Sequence, residues 1–254
     1  MSDILLQGAV IAATLAVIIV SALANYLPIN GQTTREISDR IQVYFTPAGY
    51  VFAIWGVIYL GLIAYTVFQA LPMNQDNLAL QSIAPYYLLG SAANIVWMLL
   101  WHYERFPLTP VFMIILLGAL IMIYLGLDIG GGTVSTGMWW AVHLPFSIYL
   151  GWITVATIAN ITAVLWLANW DGFGIGPEIW TAIVLAVAVI IAAAVAVSRA
   201  DVAYGLVLVW AFTGIYVKHS AVPKVGISAL LAAVLVGLLV VVSLIPDGPL
   251  PLQS

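Results

Sequence analysis

Eight long apolar segments dominate the sequence, and their length restricts the fold more than any other feature. An α-helix rises about 1.5 Å per residue and the hydrocarbon core of a bilayer is about 30 Å thick, so one crossing takes roughly 20 apolar residues. The segments comprise residues 4–27, 48–71, 83–102, 109–127, 139–167, 179–198, 202–217 and 225–245. They predict an all-α integral membrane protein, a helical bundle of about eight transmembrane helices.

The composition of the chain supports the same fold class. Hydrophobic residues make up 64% of the chain and charged residues 6%, which is too little polar surface to cover a water-soluble globule. Every Asp, Glu, Lys and Arg lies outside the eight segments or at their edges, as the cost of placing a charge in lipid requires. The chain has no cysteine, so thiolate chemistry is excluded, and its six scattered basic residues argue against a nucleic-acid partner.

The basic residues also predict an orientation in the membrane. Five of the six lie in odd-numbered loops, and the sixth, Arg199, lies in loop six. The five are Arg35 and Arg40 in loop one, Arg105 in loop three, and Lys218 and Lys224 in loop seven. Because basic residues concentrate on the cytoplasmic side, the odd loops are predicted to be cytoplasmic and both termini to lie outside.

Two polar connections between the segments stand out. The first, residues 169–178, separates the first five segments from the last three and so predicts a front block of residues 1–168 and a rear block of residues 169–254. Loop one, residues 30–47, is the longest polar connection, and it is interpreted either as a solvated linker with a short amphipathic helix at residues 35–43 or as a lid over a pocket. The rear block is largely Ala, Val, Leu and Ile and is interpreted as packing.

In the front block, aromatic and amide residues recur at helical spacing on three segments, so that each group shares one face of its helix. These groups are Trp55 and Tyr59 in the second segment, Asn94, Trp97 and Trp101 in the third, and Trp152, Ala156 and Asn160 in the fifth. By contrast, aromatic residues at segment ends, Tyr87 among them, are expected in the interfacial belt, and His102 is expected to be solvated.

The three faces together predict a ligand site. A carboxamide facing lipid would lack a hydrogen-bond partner, so Asn94 and Asn160 are expected to point inward, toward each other or toward a ligand. Each residue taken singly is also explained by packing or by interhelical hydrogen bonding. Together they predict a cavity for a flat, largely apolar ligand. The predicted ligand-binding residues are Trp55, Tyr59, Asn94, Trp97, Trp152, Ala156 and Asn160, and no catalytic or metal-ligating residue is predicted.

Three stretches of the front block resemble a known family. "PAGYVFAIWGVIY", "NIVWMLLW" and "PFSIYLGWITVATIAN" are similar to the signatures of the TspO/MBR family, the tryptophan-rich sensory proteins related to the mitochondrial translocator protein. The resemblance covers approximately residues 1–168 and implies a five-helix pocket, capped by loop one, that binds porphyrins. It implies that Trp55 and Trp152 are pocket tryptophans, with Ala156 and Asn160 on the same wall, and that the protein forms homodimers. The last three helices have no counterpart in the familiar five-helix members.

The leading functional hypothesis is therefore a membrane protein that binds a tetrapyrrole-like molecule for sensing, sequestration or transport. It requires no cofactor, and porphyrin is the expected ligand. Three alternatives stay open: a transporter of a small uncharged solute, an enzyme that degrades porphyrin by photo-oxidation, as the resemblance implies for some members, and a scaffold for another membrane protein. The enzymatic alternative ranks below non-catalytic binding.

Overall fold

The computed structural model describes residues 3–26 and 29–245; within these ranges its regular secondary structure is entirely helical, with turns and irregular loops between the helices and no strand. Eight of its helices are long and apolar enough to span a membrane, as the sequence predicts. The helices, with the short α2 of loop one included, are α1 Asp3–Tyr26, α2 Thr34–Arg40, α3 Ile54–Ala70, α4 Leu78–His102, α5 Thr109–Gly126, α6 Thr136–Leu167, α7 Pro177–Arg199, α8 Val202–His219 and α9 Pro223–Ser243. The protein is an integral multi-pass membrane protein.

Three helices depart from the sequence prediction or from regular α-helical geometry for local reasons. The second span opens with a tight 3₁₀ turn, Gly49–Ala53, before α3 begins. Helix α4 begins five residues early because Asn77 Oδ1 accepts hydrogen bonds from the backbone N–H groups of Ala79 and Leu80 and so caps the helix. Helix α6 contains a π-helical turn, Trp139–His143, in its first third.

The front block is a closed ring of five helices. Helix α1 packs on α4, α4 on α5, α5 on α6 and α6 on α3, and α3 returns to α1. Helices α3 and α6 approach closely at Gly61, where a Cβ would lie 2.8 Å from Pro145 Cβ. The ring leaves a cavity at one end, beneath loop one.

The rear block docks on this ring mainly through α8. Helix α9 packs on both α7 and α8, and α8 packs on α6. A carboxylate at the start of α8 ties the blocks together: Asp201 Oδ2 accepts from Tyr124 Oη at 2.9 Å and from Ser147 Oγ at 2.6 Å. Asp201 Oδ1 accepts from the backbone N–H of Tyr204 at 3.0 Å and caps α8. The division into two domains stays a prediction.

Two sequence expectations about segment ends are wrong. Tyr87 is not part of an interfacial belt: it is 3% exposed, shares a 2.5 Å hydrogen bond with Thr14 and packs against Tyr65. His102 is fully buried, and its Nδ1 lies 2.8 Å from the backbone oxygen of Met98. Both residues are near segment ends in the sequence, but neighbouring helices and loop one cover them.

Candidate functional site

The candidate site is a cavity enclosed by α3, α4, α5, α6 and loop one, with a free volume of about 70 Å³. Five of the seven predicted ligand-binding residues line it, namely Trp55, Trp97, Trp152, Ala156 and Asn160. Loop one closes one end through Thr34 and Ser38 of α2 and through Ile41, Thr46 and Pro47. The position of loop one is that of a cover rather than a free linker.

Aromatic rings form most of the cavity wall. Trp152 meets Trp55 edge to face at 6.1 Å and 83°, and Phe52 at 5.9 Å and 81°. On the other side, Trp97 and Trp101 lie nearly parallel, with ring centres 5.7 Å apart and an interplanar angle of 21°. Edge-to-face and offset parallel pairs are the favourable geometries for aromatic rings, so the wall is held in place by its own contacts.

Tyr59 and Asn94 lie behind this wall and are not among the residues that line the cavity. The ring of Tyr59 stacks on Trp55 at 5.6 Å and 22°. Asn94 Nδ2 donates to Tyr149 Oη at 2.8 Å, and the Tyr149 ring packs against Trp55 at 6.2 Å. Both residues therefore support Trp55, directly or through Tyr149, and their role as ligand-binding residues stays a prediction.

The two buried amides do not bond to each other. Asn160 Nδ2 lies 3.0 Å from Thr109 Oγ1, which also bonds the backbone oxygen of Phe106 at 2.8 Å and thereby links α6 to the start of α5. Asn94 bonds Tyr149 instead. Spacing on a single helix placed both amides inward, but it could not identify their partners on neighbouring helices.

Three indole N–H groups of the cavity wall lack an acceptor. The Nε1 atoms of Trp97, Trp101 and Trp152 are buried and have no hydrogen-bond partner within the described part of the chain. An indole N–H is a donor only, and leaving a buried donor unpaired costs about 1–3 kcal/mol. Because the three nitrogen atoms are themselves buried, a ligand with acceptor atoms would satisfy these donors only after the wall rearranges.

Sequence reasoning left several lining residues out of the predicted site. Trp101 shares a face with Trp97 and could have been included from its spacing alone. Met113 of α5 and the loop-one residues Thr34, Ser38 and Ile41 carried no usable signal, because their approach to the cavity depends on how helices and loop are arranged.

The charged side chains near the site lie outside the cavity, at its rim. Among the described residues that line the cavity, none has an ionisable side chain. Outside it, Arg40 of α2 pairs with Glu104 at 2.6 Å, and Lys218 pairs with Asp39 at 3.3 Å. The hydrogen bond from Arg40 holds the pKa of Glu104 below its ordinary value. The cavity is thus suited to an uncharged, aromatic ligand.

These features define a multi-pass helical membrane protein with an aromatic cavity inside its bundle, covered by a loop. The family model described as TSPO-like protein matches residues 7–242. The chain therefore belongs to the TSPO-like family. No curated protein and no solved structure matches the chain. The family match continues through α7, α8 and α9, beyond residue 168 where the sequence resemblance ended.

Proposed function

We propose that this protein binds a planar, largely apolar molecule of the tetrapyrrole type in the cavity beneath loop one. The observation that carries the proposal is the convergence of Trp55, Trp97, Trp101 and Trp152 on one uncharged cavity. Flat aromatic walls favour a flat ligand, and burial of its surface contributes about 25 cal/mol per Å² of apolar area. Sensing, sequestration and transport would all share this binding step.

The unpaired N–H donors in the cavity wall indicate which functional groups the ligand should carry. The N–H groups of Trp97, Trp101 and Trp152 need acceptors, and the lining supplies no cation to neutralise a buried carboxylate. We therefore expect a ligand with neutral oxygen or nitrogen acceptors within its apolar body. Any carboxylates would stay at the rim, where the basic side chains of α2 lie.

The cavity must widen to accept such a ligand. Its volume of about 70 Å³ holds roughly five water molecules, far less than a tetrapyrrole occupies. Within loop one, α2 has the weakest polar attachment, because the ion pairs Arg40–Glu104 and Lys218–Asp39 are partly exposed and worth about 0–1 kcal/mol each. We expect α2 to swing outward as the ligand enters.

A porphyrin titration tests the proposal. Protoporphyrin IX is added to the purified protein and its Kd is read from quenching of tryptophan fluorescence. Trp152→Ala removes a ring contact and an N–H donor, so Kd should rise about tenfold or more. The matched control is Trp170→Ala, because Trp170 is partly exposed, its ring contacts those of Phe173 and Trp180, and it does not line the cavity. Equal Kd values for the two variants would count against the cavity as the binding site.

Two further assays distinguish between the functions that would all begin with binding of the ligand. Flux of the ligand across proteoliposomes would identify transport, and its absence alongside tight binding would leave sensing or sequestration. Illumination of the complex followed by analysis of the pigment would reveal photo-oxidative breakdown. Recovery of intact porphyrin would exclude that activity.

A further inference from the structure

Residues 44–52, here called the mouth segment, wall one side of the cavity; they comprise the end of loop one and the first residues of the 3₁₀ turn that precedes α3. Its residues Thr46, Pro47 and Phe52 line the cavity. Its other side contacts α8 of the rear block. The mouth segment therefore separates the cavity from α8.

Helix α8 makes hydrogen bonds to backbone groups of the mouth segment. The backbone N–H of Ala48 donates to the backbone oxygen of Gly214 at 3.0 Å. Trp210 Nε1 donates to the Val51 oxygen at 3.2 Å, and His219 Nε2 lies 3.1 Å from the Thr46 oxygen. A buried backbone group without a partner costs free energy, so these bonds stabilise the position of the mouth segment against α8.

Close packing accompanies these hydrogen bonds. A Cβ on Gly214 would collide with Val51 Cγ2 and lie 3.1 Å from Pro47 Cβ, so the mouth segment fits against bare helix backbone. Trp210 meets the ring of Tyr50 edge to face at 5.1 Å. At the other end of the segment, His219 meets the ring of Tyr44 in the same way at 5.4 Å.

The opposite side of the mouth is held more weakly. Helix α2 has seven residues and is joined to α4 and its following loop by Arg40–Glu104 and by Thr34 contacts to Met98 and His102, with Gln32–Glu104 at 3.3 Å beside them. To α8 it is joined by the ion pair Lys218–Asp39 at 3.3 Å. The charged partners are partly exposed, where ion pairs contribute little. The two sides of the mouth therefore differ in their polar contacts: the mouth segment is bonded to a membrane helix through its backbone, whereas the hydrogen bonds and ion pairs of α2 to its neighbours run through side chains, beside the buried Ile37.

We propose that α8 positions the mouth segment as a fixed wall, so that the cavity opens on the α2 side and the rear block controls access to it. Trp210, Gly214 and His219 are the positioning residues. The inference rests on the proposed function only in taking this cavity as the ligand site. It gives the last three helices a role at the site although none of their residues lines the cavity.

The absence of native cysteine allows a test that needs no ligand. Ala159 lines the cavity, and Ala159→Cys provides a single thiol whose reaction rate with a small water-soluble methanethiosulfonate reports opening. In this background, Trp210→Phe keeps an aromatic ring but loses the bond from Nε1 to the Val51 oxygen. The matched control, Trp180→Phe, loses an equivalent bond from Trp180 Nε1 to the Gly172 oxygen at 2.8 Å, away from the mouth. The Trp210 variant should react about fivefold faster, the equivalent of one net hydrogen bond.

A second test variant, with its own control, should lower the reaction rate of the thiol. Gly214→Ala pushes Pro47 and Val51 away from α8 and into the cavity, so the thiol should react more slowly than with Gly237→Ala. Gly237 is the matched control because a Cβ there has nothing within 4 Å. General loosening of the bundle would accelerate the reaction in both test variants.

Equal rates for Trp210→Phe and Trp180→Phe would overturn the proposal, and so would a faster reaction in Gly214→Ala. If Gly214→Ala does not fold, the tryptophan pair decides alone. A failure of the proposed function is distinguishable, because it would show in the porphyrin titration while leaving the thiol rates unaffected.

Discussion

Asp201 offers the sharpest test of how the two blocks are joined. Its carboxylate accepts from the hydroxyl groups of Tyr124 and Ser147 and from the backbone N–H of Tyr204. Hydrogen bonds to a charged group are worth about 1.5–3 kcal/mol, and a side-chain helix cap about 1 kcal/mol. Taking the lower values, because Asp201 is only half-buried, Asp201→Ala should lower the free energy of unfolding by about 4 kcal/mol.

The conservative change Asp201→Asn separates charge from shape. Asn keeps an acceptor oxygen and is an equally good cap, so about 1.5 kcal/mol should be lost, chiefly from the two hydroxyl bonds. Free energies come from reversible unfolding in mixed micelles, followed by circular dichroism. The matched control is Asp171→Ala, because Asp171 accepts only a local backbone N–H, that of Phe173 at 3.0 Å, and should lose less than about 1 kcal/mol.

The reasoning fails if the free energies of unfolding of Asp201→Ala and Asp171→Ala differ by less than about 1 kcal/mol. That result would mean that Tyr124 and Ser147 find other partners once the carboxylate is gone, and that apolar packing alone holds α8 to the front block. Ser147→Ala and its double variant with Asp201→Ala would then locate the compensation, since residues that share a bond are coupled.

Two further predictions concern the helix ring and the cover. Gly61→Ala should cost about 1–3 kcal/mol in unfolding free energy, because the new Cβ would lie 2.8 Å from Pro145 Cβ, whereas Gly56→Ala meets no atom within 4 Å and should be neutral or stabilising. The pKa of Glu104 is lowered from its ordinary value of 4.5. The bond between Glu104 and Arg40 therefore contributes fully to stability above pH 4.5, and this contribution is lost as the pH falls below 4.5 and through the lowered pKa. A nitroxide on α2 should therefore become more mobile below about pH 4.5 in the native protein than in Glu104→Gln, and identical pH profiles would contradict this.

The fold and the position of the cavity were largely predictable, because both follow from constraints that act along a single helix. Bilayer thickness fixes the length of each span, and helical spacing puts Trp152, Ala156 and Asn160 on one face. The presence of aromatic faces on three spans of the front block was enough to predict a cavity among them. The family relationship was visible in the same residues.

Contacts between helices decided the rest. Trp55 and Tyr59 share a face, yet only Trp55 lines the cavity, because Tyr59 stacks behind it. The bond from Trp210 to Val51 joins residues 159 positions apart, so no local pattern could indicate that a rear helix holds the mouth segment.

The sequence by itself determined which stretches cross the membrane and which helix faces carry rings and amides, since these depend on local composition and spacing. Only the tertiary structure decided which of those faces meet, which polar atoms find partners and which part of the mouth is held fixed, since each of these depends on atoms brought together from distant parts of the chain.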